Sequence, residues 1–218
     1  MSDRPEYEQL ARMRTAAPKH TATYLPVVHE DEAAGDVAAA YQYFRDQTGR
    51  QDVPGIVKCF SGNPALVRQM INISSSLLFC EGALTRRHKE LIAAWISKLN
   101  ACPYCFDSHG FFFLVHGGSE GALQKLSAGE IDSAEITAAE RALLRYAEQV
   151  NGASYRLDRE AARVLEAEGW RPEQIAETVH MAAFMGFCNR IANAFGLPSQ
   201  GFLELAKAQP GLGDEGNG

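Results

Sequence analysis

The run Glu90-Leu-Ile-Ala-Ala-Trp-Ile-Ser-Lys-Leu-Asn-Ala-Cys-Pro-Tyr-Cys-Phe-Asp-Ser-His109 decides how this chain is read. It places Cys102 and Cys105 three positions apart, His109 four positions further on, and Glu90 twelve before the first cysteine. Pro103 suits the first position of a helix, where its missing N–H costs nothing. Cys102 then becomes the N-cap and Cys105 the third helical residue, positions whose side chains meet as in a capping box. Sulfurs so placed approach closely enough to bond, and both feel the positive end of the helix, which favours thiolate. His109 falls one turn beyond Cys105 on the same face. A nucleophile, a partner thiol and two proton carriers in one stretch read as a redox site.

Working outward, Thr85 caps a helix to about Asn100 whose broad apolar face is Leu91, Ile92, Trp95, Ile96 and Leu99. Beside that face runs a narrow line of Glu90, Ala94, Ser97 and Ala101. Its small residues let another backbone approach, with Glu90 either pointing into that contact or solvated on the flank. Earlier in the chain, Asp31 to Gly49 carries Val37, Ala40, Tyr41 and Phe44 at helical period, and Val53-Pro54 starts a short helix. Asn63-Pro64 is an N-cap and N1 pair leading Leu66, Val67, Met70, Ile73 and Leu77 along one stripe. After Gly117-Gly118, Ser119 caps a short helix, Thr137-Ala-Ala-Glu140 forms a capping box, and Asp158 caps another helix. Arg171-Pro172 opens the longest helix, to Phe195, and a last one follows Pro198. No segment alternates as a strand does. The fold class is all-α, in one domain over 25–207, with an N-terminal arm over 1–24 and a polar, glycine-rich tail over 208–218.

A weak internal echo runs through this pattern. Leu84-Thr85 with Leu91-Ile92 matches Ile136-Thr137 with Leu143-Leu144. In the second copy the reactive positions become Ala142, Ser154, Leu157 and Ala161, so only the first carries chemistry.

Composition narrows the function classes. The 218 residues are 46% hydrophobic with a net charge of −6, and no basic block compensates, so no nucleic-acid partner is expected. The apolar runs near Phe111–Val115 and Met181–Cys188 are too short to span a membrane, and the polar N-terminus lacks a signal-peptide core. The expected location is cytoplasmic, where five cysteines are no disulfide framework and a Cys-x2-Cys pair is catalytic or metal-binding. Cys59, Cys80 and Cys188, set among apolar neighbours, read as buried structural thiols. The block Phe111-Phe112-Phe113 covers most of a helix circumference and reads as partly exposed, which points to a homo-oligomer.

Spacing sorts the readings of the cysteine pair. Haem attachment needs histidine directly after the second cysteine, and Phe106 stands there. A structural zinc site would use Cys102, Cys105 and His109 but wants a fourth ligand, and no second Cys-x2-Cys exists. Cys-Pro-Tyr-Cys is shared with glutaredoxins, yet a thioredoxin-type site follows a strand, and the segment before Cys102 reads as helix.

The whole pattern Glu-x11-Cys-x2-Cys-x3-His on two successive helices resembles the alkylhydroperoxidase D (AhpD) family, within the carboxymuconolactone decarboxylase superfamily. The likeness extends over roughly Leu25 to Pro198, including Leu84-Thr-Arg-Arg-His-Lys-Glu and Asn189-Arg-Ile-Ala-Asn-Ala-Phe-Gly, and is strongest to peroxidase-related members. It implies an AhpD-like helical fold, a homo-oligomer and peroxide reduction by a thiol–disulfide cycle. It further implies a Glu90/His109 proton relay, Cys105 as the peroxidatic thiol and Cys102 as the resolving one. No bound cofactor or metal is implied; an external dithiol, such as a lipoyl-type reductant protein, would restore the thiols. Tyr104 stands where the best-known peroxidases have histidine and is a possible auxiliary donor to the leaving oxygen. A redox sensor or a general thiol–disulfide oxidoreductase is the alternative reading. The decarboxylase branch lacks the cysteine pair.

Overall fold

A computed structural model describes Gln9 and residues 22–208, so the N-terminal arm and the C-terminal tail fall almost wholly outside the described residues. Every regular element among the described residues is helical. Two compact units emerge: one holds the described residues up to Cys80 together with Arg190–Pro198, the other Glu81–Asn189 and the described residues from Ser199 onward.

The first unit is built on α1 (Gly35–Thr48), α2 (Gly55–Lys58) and α3 (Pro64–Ile73). Gly49, at φ 75, ends α1 in the left-handed conformation that suits glycine. Asn63 caps α3 by accepting the Leu66 N–H at 3.3 Å, with Pro64 at N1. Helix α3 runs into a π turn over Ser74–Leu78, which the sequence pattern does not announce. Helices α1 and α3 pack together and bury Ala40, Tyr41, Phe44, Val67, Met70 and Ile71.

The second unit is organised by α4 (Arg86–Leu99) and α5 (Pro103–Val115), which pack along each other. Helix α6 (Glu120–Ala128) rests on both, and α7 (Ala138–Ala153) on α4. A 3-10 turn over Ser154–Arg156 leads to α8 (Arg159–Ala167), packed on α7. Helix α9 (Pro172–Phe195) supplies residues to both units, and α10 (Phe202–Lys207) lies on α5. The caps are those the sequence signals: Thr85, Ser119 and Asp158 each accept an N–H of the first turn, and Thr137 with Glu140 closes a full capping box.

Helix α4 is buried nearly all round. Leu91, Ile92, Trp95 and Ile96 are covered, and so are Glu90, Ala94 and Ser97 on the small-residue line. The solvated alternative for Glu90 is therefore rejected. Each large apolar side chain on α4 contributes about 1.5–3 kcal/mol by leaving water, which makes this helix the mechanical base of the unit.

The phenylalanine block is a correction. Phe111, Phe112 and Phe113 are at most 3% exposed, all within one chain. Phe111 meets Phe202 of α10 at a ring-centroid distance of 5.9 Å, and the Arg87 guanidinium lies 5.3 Å from the Phe113 ring. The last helix supplies a cover that the block itself does not reveal, so the block offers no surface to a second copy.

Candidate active site

The corner between α4 and α5 sets the thiols. Helix α4 closes with the Asn100 N–H on Ile96 O at 2.9 Å, and Ala101 then turns left-handed at φ 47. That conformation costs a residue with a Cβ about 1–2 kcal/mol. The turn lets the Cys102 N–H return to Ser97 O at 2.9 Å, so Cys102 enters α5 as its N-cap with Pro103 behind it. The Cys105 N–H donates to Cys102 Sγ at 3.4 Å, the capping geometry that the spacing predicts. Both thiols are unlinked, and Cys102 is 1% and Cys105 3% exposed.

The two sulfurs are not equivalent. The Cys105 thiol donates to Cys102 and, despite burial, holds Cys102 below its ordinary value; the N–H groups of Cys105 and Tyr104 and the Asn189 side chain add to this. Cys105 is held well above its ordinary value, first because it is that donor, then by burial and by negative charge on Cys102. An N-cap sulfur receives the helix N–H groups, whereas the third helical residue sits behind it and beside its charge.

Glu90 and His109 meet as the spacing predicts. His109 Nδ1 lies 2.7 Å from Glu90 Oε2, and Arg86 Nη2 reaches the other carboxylate oxygen at 2.7 Å. Glu90 is fully buried, so both of its oxygens are satisfied inside the protein. With Nδ1–H donating to the carboxylate, the ring is oriented and Nε2 is the nitrogen left for proton transfer. The edge of Phe112 packs against the same ring at 5.9 Å.

Tyr104 is buried on the first turn of α5, where its carbonyl accepts the Ser108 hydroxyl at 3.0 Å. His116 ends α5 as its C-cap, and His180 is exposed on α9. Cys59 and Cys188 are buried as expected, each pushed up to about 12 by burial. Cys80 is only half-buried, its thiol donating to Ser76 O at 3.0 Å, which corrects the expectation of a core thiol. Among the described residues, no three His, Cys, Asp or Glu side chains gather as a metal site requires.

With the geometry in place, the comparisons with known proteins are informative. Residues 64–149, which hold the cysteine pair, Glu90 and His109, match the carboxymuconolactone decarboxylase family. The chain superposes with a TM-score of 0.72 on an "alkylhydroperoxidase AhpD core", an uncharacterized peroxidase-related protein from Ralstonia eutropha JMP134. The two are 24% identical, over 86% of this chain and 97% of that one. The fold is AhpD-like.

A peroxidase-related protein from Silicibacter sp. TM1040 shares the AhpD-like fold at a TM-score of 0.68 and 23% identity, over 84% of this chain and 94% of that one. So does the debrominase Bmp8, at 0.62 and 19%, over 81% and 93%. No curated protein sequence matches the chain. No helix among the described residues is long and apolar enough to cross a membrane.

Three residues that support this site escape a reading by motif. Arg86 lies four positions before Glu90 on the same face of α4, a signal that was available. Asn189, fully buried on α9, and Asp107, which caps α10 from α5, act across more than ninety positions. No local pattern marks either.

Proposed function

We propose that this chain is a thiol-dependent hydroperoxide reductase working through Cys102 and Cys105. The observation that carries the reading is the juxtaposition on α4 and α5 of a buried N-cap/N3 thiol pair with the Arg86–Glu90–His109 chain. The Cys102 thiolate attacks a peroxide oxygen, breaking the O–O bond to give a Cys102 sulfenic acid and an alkoxide that takes a proton through His109. Cys105 then attacks the sulfenic sulfur. A disulfide forms, and the hydroxyl leaves as water with the Cys105 proton, again relayed through His109. The sum is ROOH and two thiols giving ROH, water and one disulfide. Two electrons return from an external dithiol, a small one or a lipoyl-type group on a partner protein. Glu90 and Arg86 act by orienting His109, and Tyr104 is buried on the first turn of α5 between the two cysteines.

The proposed order rests on the corner geometry: the Cys105 N–H donates to Cys102 Sγ at 3.4 Å, and His109 lies one turn beyond Cys105, whose proton must leave in the second step.

The test is single-turnover oxidation of reduced protein by hydrogen peroxide and by an organic hydroperoxide, with thiol counting. Wild type should lose two thiols per peroxide. Cys105→Ser should consume one equivalent and leave a sulfenic acid trapped on Cys102, while Cys102→Ser should react slowly. Labelling of Cys105 in Cys102→Ser at the wild-type rate would overturn the order. Oxidation without catalytic turnover with any dithiol would replace the enzyme by a redox sensor. The debrominase likeness supplies a further arm, because a variant of that protein was solved with 2,3,4-tribromopyrrole. If bromopyrrole, and not peroxide, formed the disulfide with release of bromide, the peroxidase reading would fall.

A further inference from the structure

The corner between α4 and α5 lacks the glycine that such a corner usually has. The Cys102 N–H returns to Ser97 O at 2.9 Å, and the Ala101 N–H to Lys98 O at 3.1 Å. These two bonds, six-to-one and five-to-two, make a Schellman ending, whose left-handed residue is usually glycine. Here that residue is Ala101, at φ 47, and Cys102 follows it. Cys102 therefore closes α4 and caps α5 at once, and its position depends on a turn that alanine disfavours.

Behind the turn lies a chain of amides. Asn100, just before Ala101, exchanges a reciprocal pair of bonds with Asn151 on the last turn of α7, at 3.0 and 2.9 Å. Asn100 Nδ2 also reaches Oδ1 of Asn189, fully buried on α9, at 3.0 Å. Asn189 Nδ2 then donates to Ser97 Oγ at 3.0 Å, and that hydroxyl directs its own hydrogen to Ala93 O at 2.7 Å. The chain thus grips the turn at Ser97, where it begins, and at Asn100, next to the left-handed residue. Each amide stands in the orientation that pairs donor with acceptor, and turning one over sets oxygen against oxygen.

We propose that Asn189 and Asn151 are positioning residues of the thiol pair, which set its redox poise by clamping the corner that carries Cys102. Neither needs to touch a sulfur. The link is the backbone: Ser97 O holds the Cys102 N–H, and Cys102 Sγ, so placed, accepts the Cys105 N–H at 3.4 Å. A protein disulfide is favoured by the effective concentration that the fold gives its two thiols, which falls when one is free to swing away. A strained turn persists only while its surroundings over-determine it. Released from the clamp, the corner relaxes and takes the N-cap sulfur with it.

This inference rests on the thiol reading of the site, and its test needs no peroxide. The protein is equilibrated with reduced and oxidised dithiothreitol, and the Cys102–Cys105 disulfide is counted by alkylation and peptide mass spectrometry. Two protein thiols pass two electrons and two protons to the cyclic disulfide, so the midpoint reads the poise directly. Asn151→Ala should weaken the protein disulfide about ten-fold, raising its potential by about 30 mV. Asn189→Ala and Ser97→Ala should shift it the same way, and Ser97→Ala covers the case in which Asn189→Ala does not fold. Thr137→Ala, which uncaps the opposite end of α7, should lower stability and leave the potential unchanged. An unchanged potential in folded Asn151→Ala would overturn the proposal, whatever Asn189→Ala does, and leave a packing role. An equal shift in Thr137→Ala would overturn it too, because lost stability would then account for both. A wild type that forms no Cys102–Cys105 disulfide would overturn it together with the thiol reading. The expected shifts in a protein that never turns over hydroperoxide would sink the peroxidase reading alone.

Discussion

Glu90 Oε2 and His109 Nδ1 lie 2.7 Å apart across 19 positions of sequence, on the two helices that meet at the thiol corner. The carboxylate is simultaneously held by Arg86 at 2.7 Å, so three ionisable side chains form one buried line. Breaking such a line from the middle leaves both ends without compensation. Glu90→Gln should therefore destabilise the fold by about 3 kcal/mol or more and slow thiol oxidation. Arg86→Met should slow oxidation less than His109→Phe, because it acts only through Glu90. Denaturant melts with stopped-flow thiol oxidation check both; equal rates for wild type and Glu90→Gln would remove Glu90 from the relay.

Acid should unfold the second unit from the far end of α4. Burial opposes ionisation of Glu140, but Arg87 and the Thr137 bonds outweigh it and hold its carboxyl below the usual range. Burial and the adjacent Arg87 push His88 below its ordinary value as well. Both groups bind fewer protons folded than unfolded, so both make stability fall as pH falls. The His88 contribution is present above pH about 6.5 and the Glu140 contribution above about 4.3; each is lost as pH drops through the folded value. Melting temperature against pH should show two descending steps, the upper absent in His88→Phe and the lower in Glu140→Gln.

Asp107 accepts the N–H groups of Phe202 and Leu203, each at 3.0 Å, and so supplies the cap that α10 lacks locally. Asp107→Ala leaves two amides without that partner and should cost about 1–3 kcal/mol. The loss should be local. Hydrogen exchange at Phe202 and Leu203 should accelerate well before that of α4, and uniform acceleration would show that α10 is part of the global core.

Ala101 holds φ 47 at an exposed position. Ala101→Gly removes the Cβ penalty of about 1–2 kcal/mol but loosens the unfolded chain by about 0.5–1 kcal/mol. A net gain of up to about 1.5 kcal/mol is expected by urea denaturation, with thiol reactivity unchanged. Ala101→Val should lose stability, because a branched side chain resists the left-handed region more.

The helix starts were legible in the sequence because a cap is a local contract between a side chain and the next turn. Asn63, Thr85, Cys102, Ser119, Thr137 and Asp158 all cap as their spacing demands. The pairing of Glu90 with His109 was legible only through the full motif, since burial of the α4 flank depends on what packs there. The order proposed for the thiols was not legible in the motif, because it rests on which sulfur receives the Cys105 N–H once the corner is folded. The cover of Phe111 was likewise set by Phe202, beyond any window that a helical stripe can scan.

Only Asn100 and Ala101 separate the end of α4 from the cap of α5. A joint that short, already left-handed, has no slack. An inserted residue must be taken up as helix, turning all that follows by about 100° and carrying His109 off Glu90. Length change in the second unit is thus permitted unequally along the chain: forbidden at the corner, tolerated in 129–136 between α6 and α7, where no reactive side chain sits downstream in fixed phase. Descendants of this chain can grow there and keep their chemistry, while a single-codon insertion before Cys102 ends it.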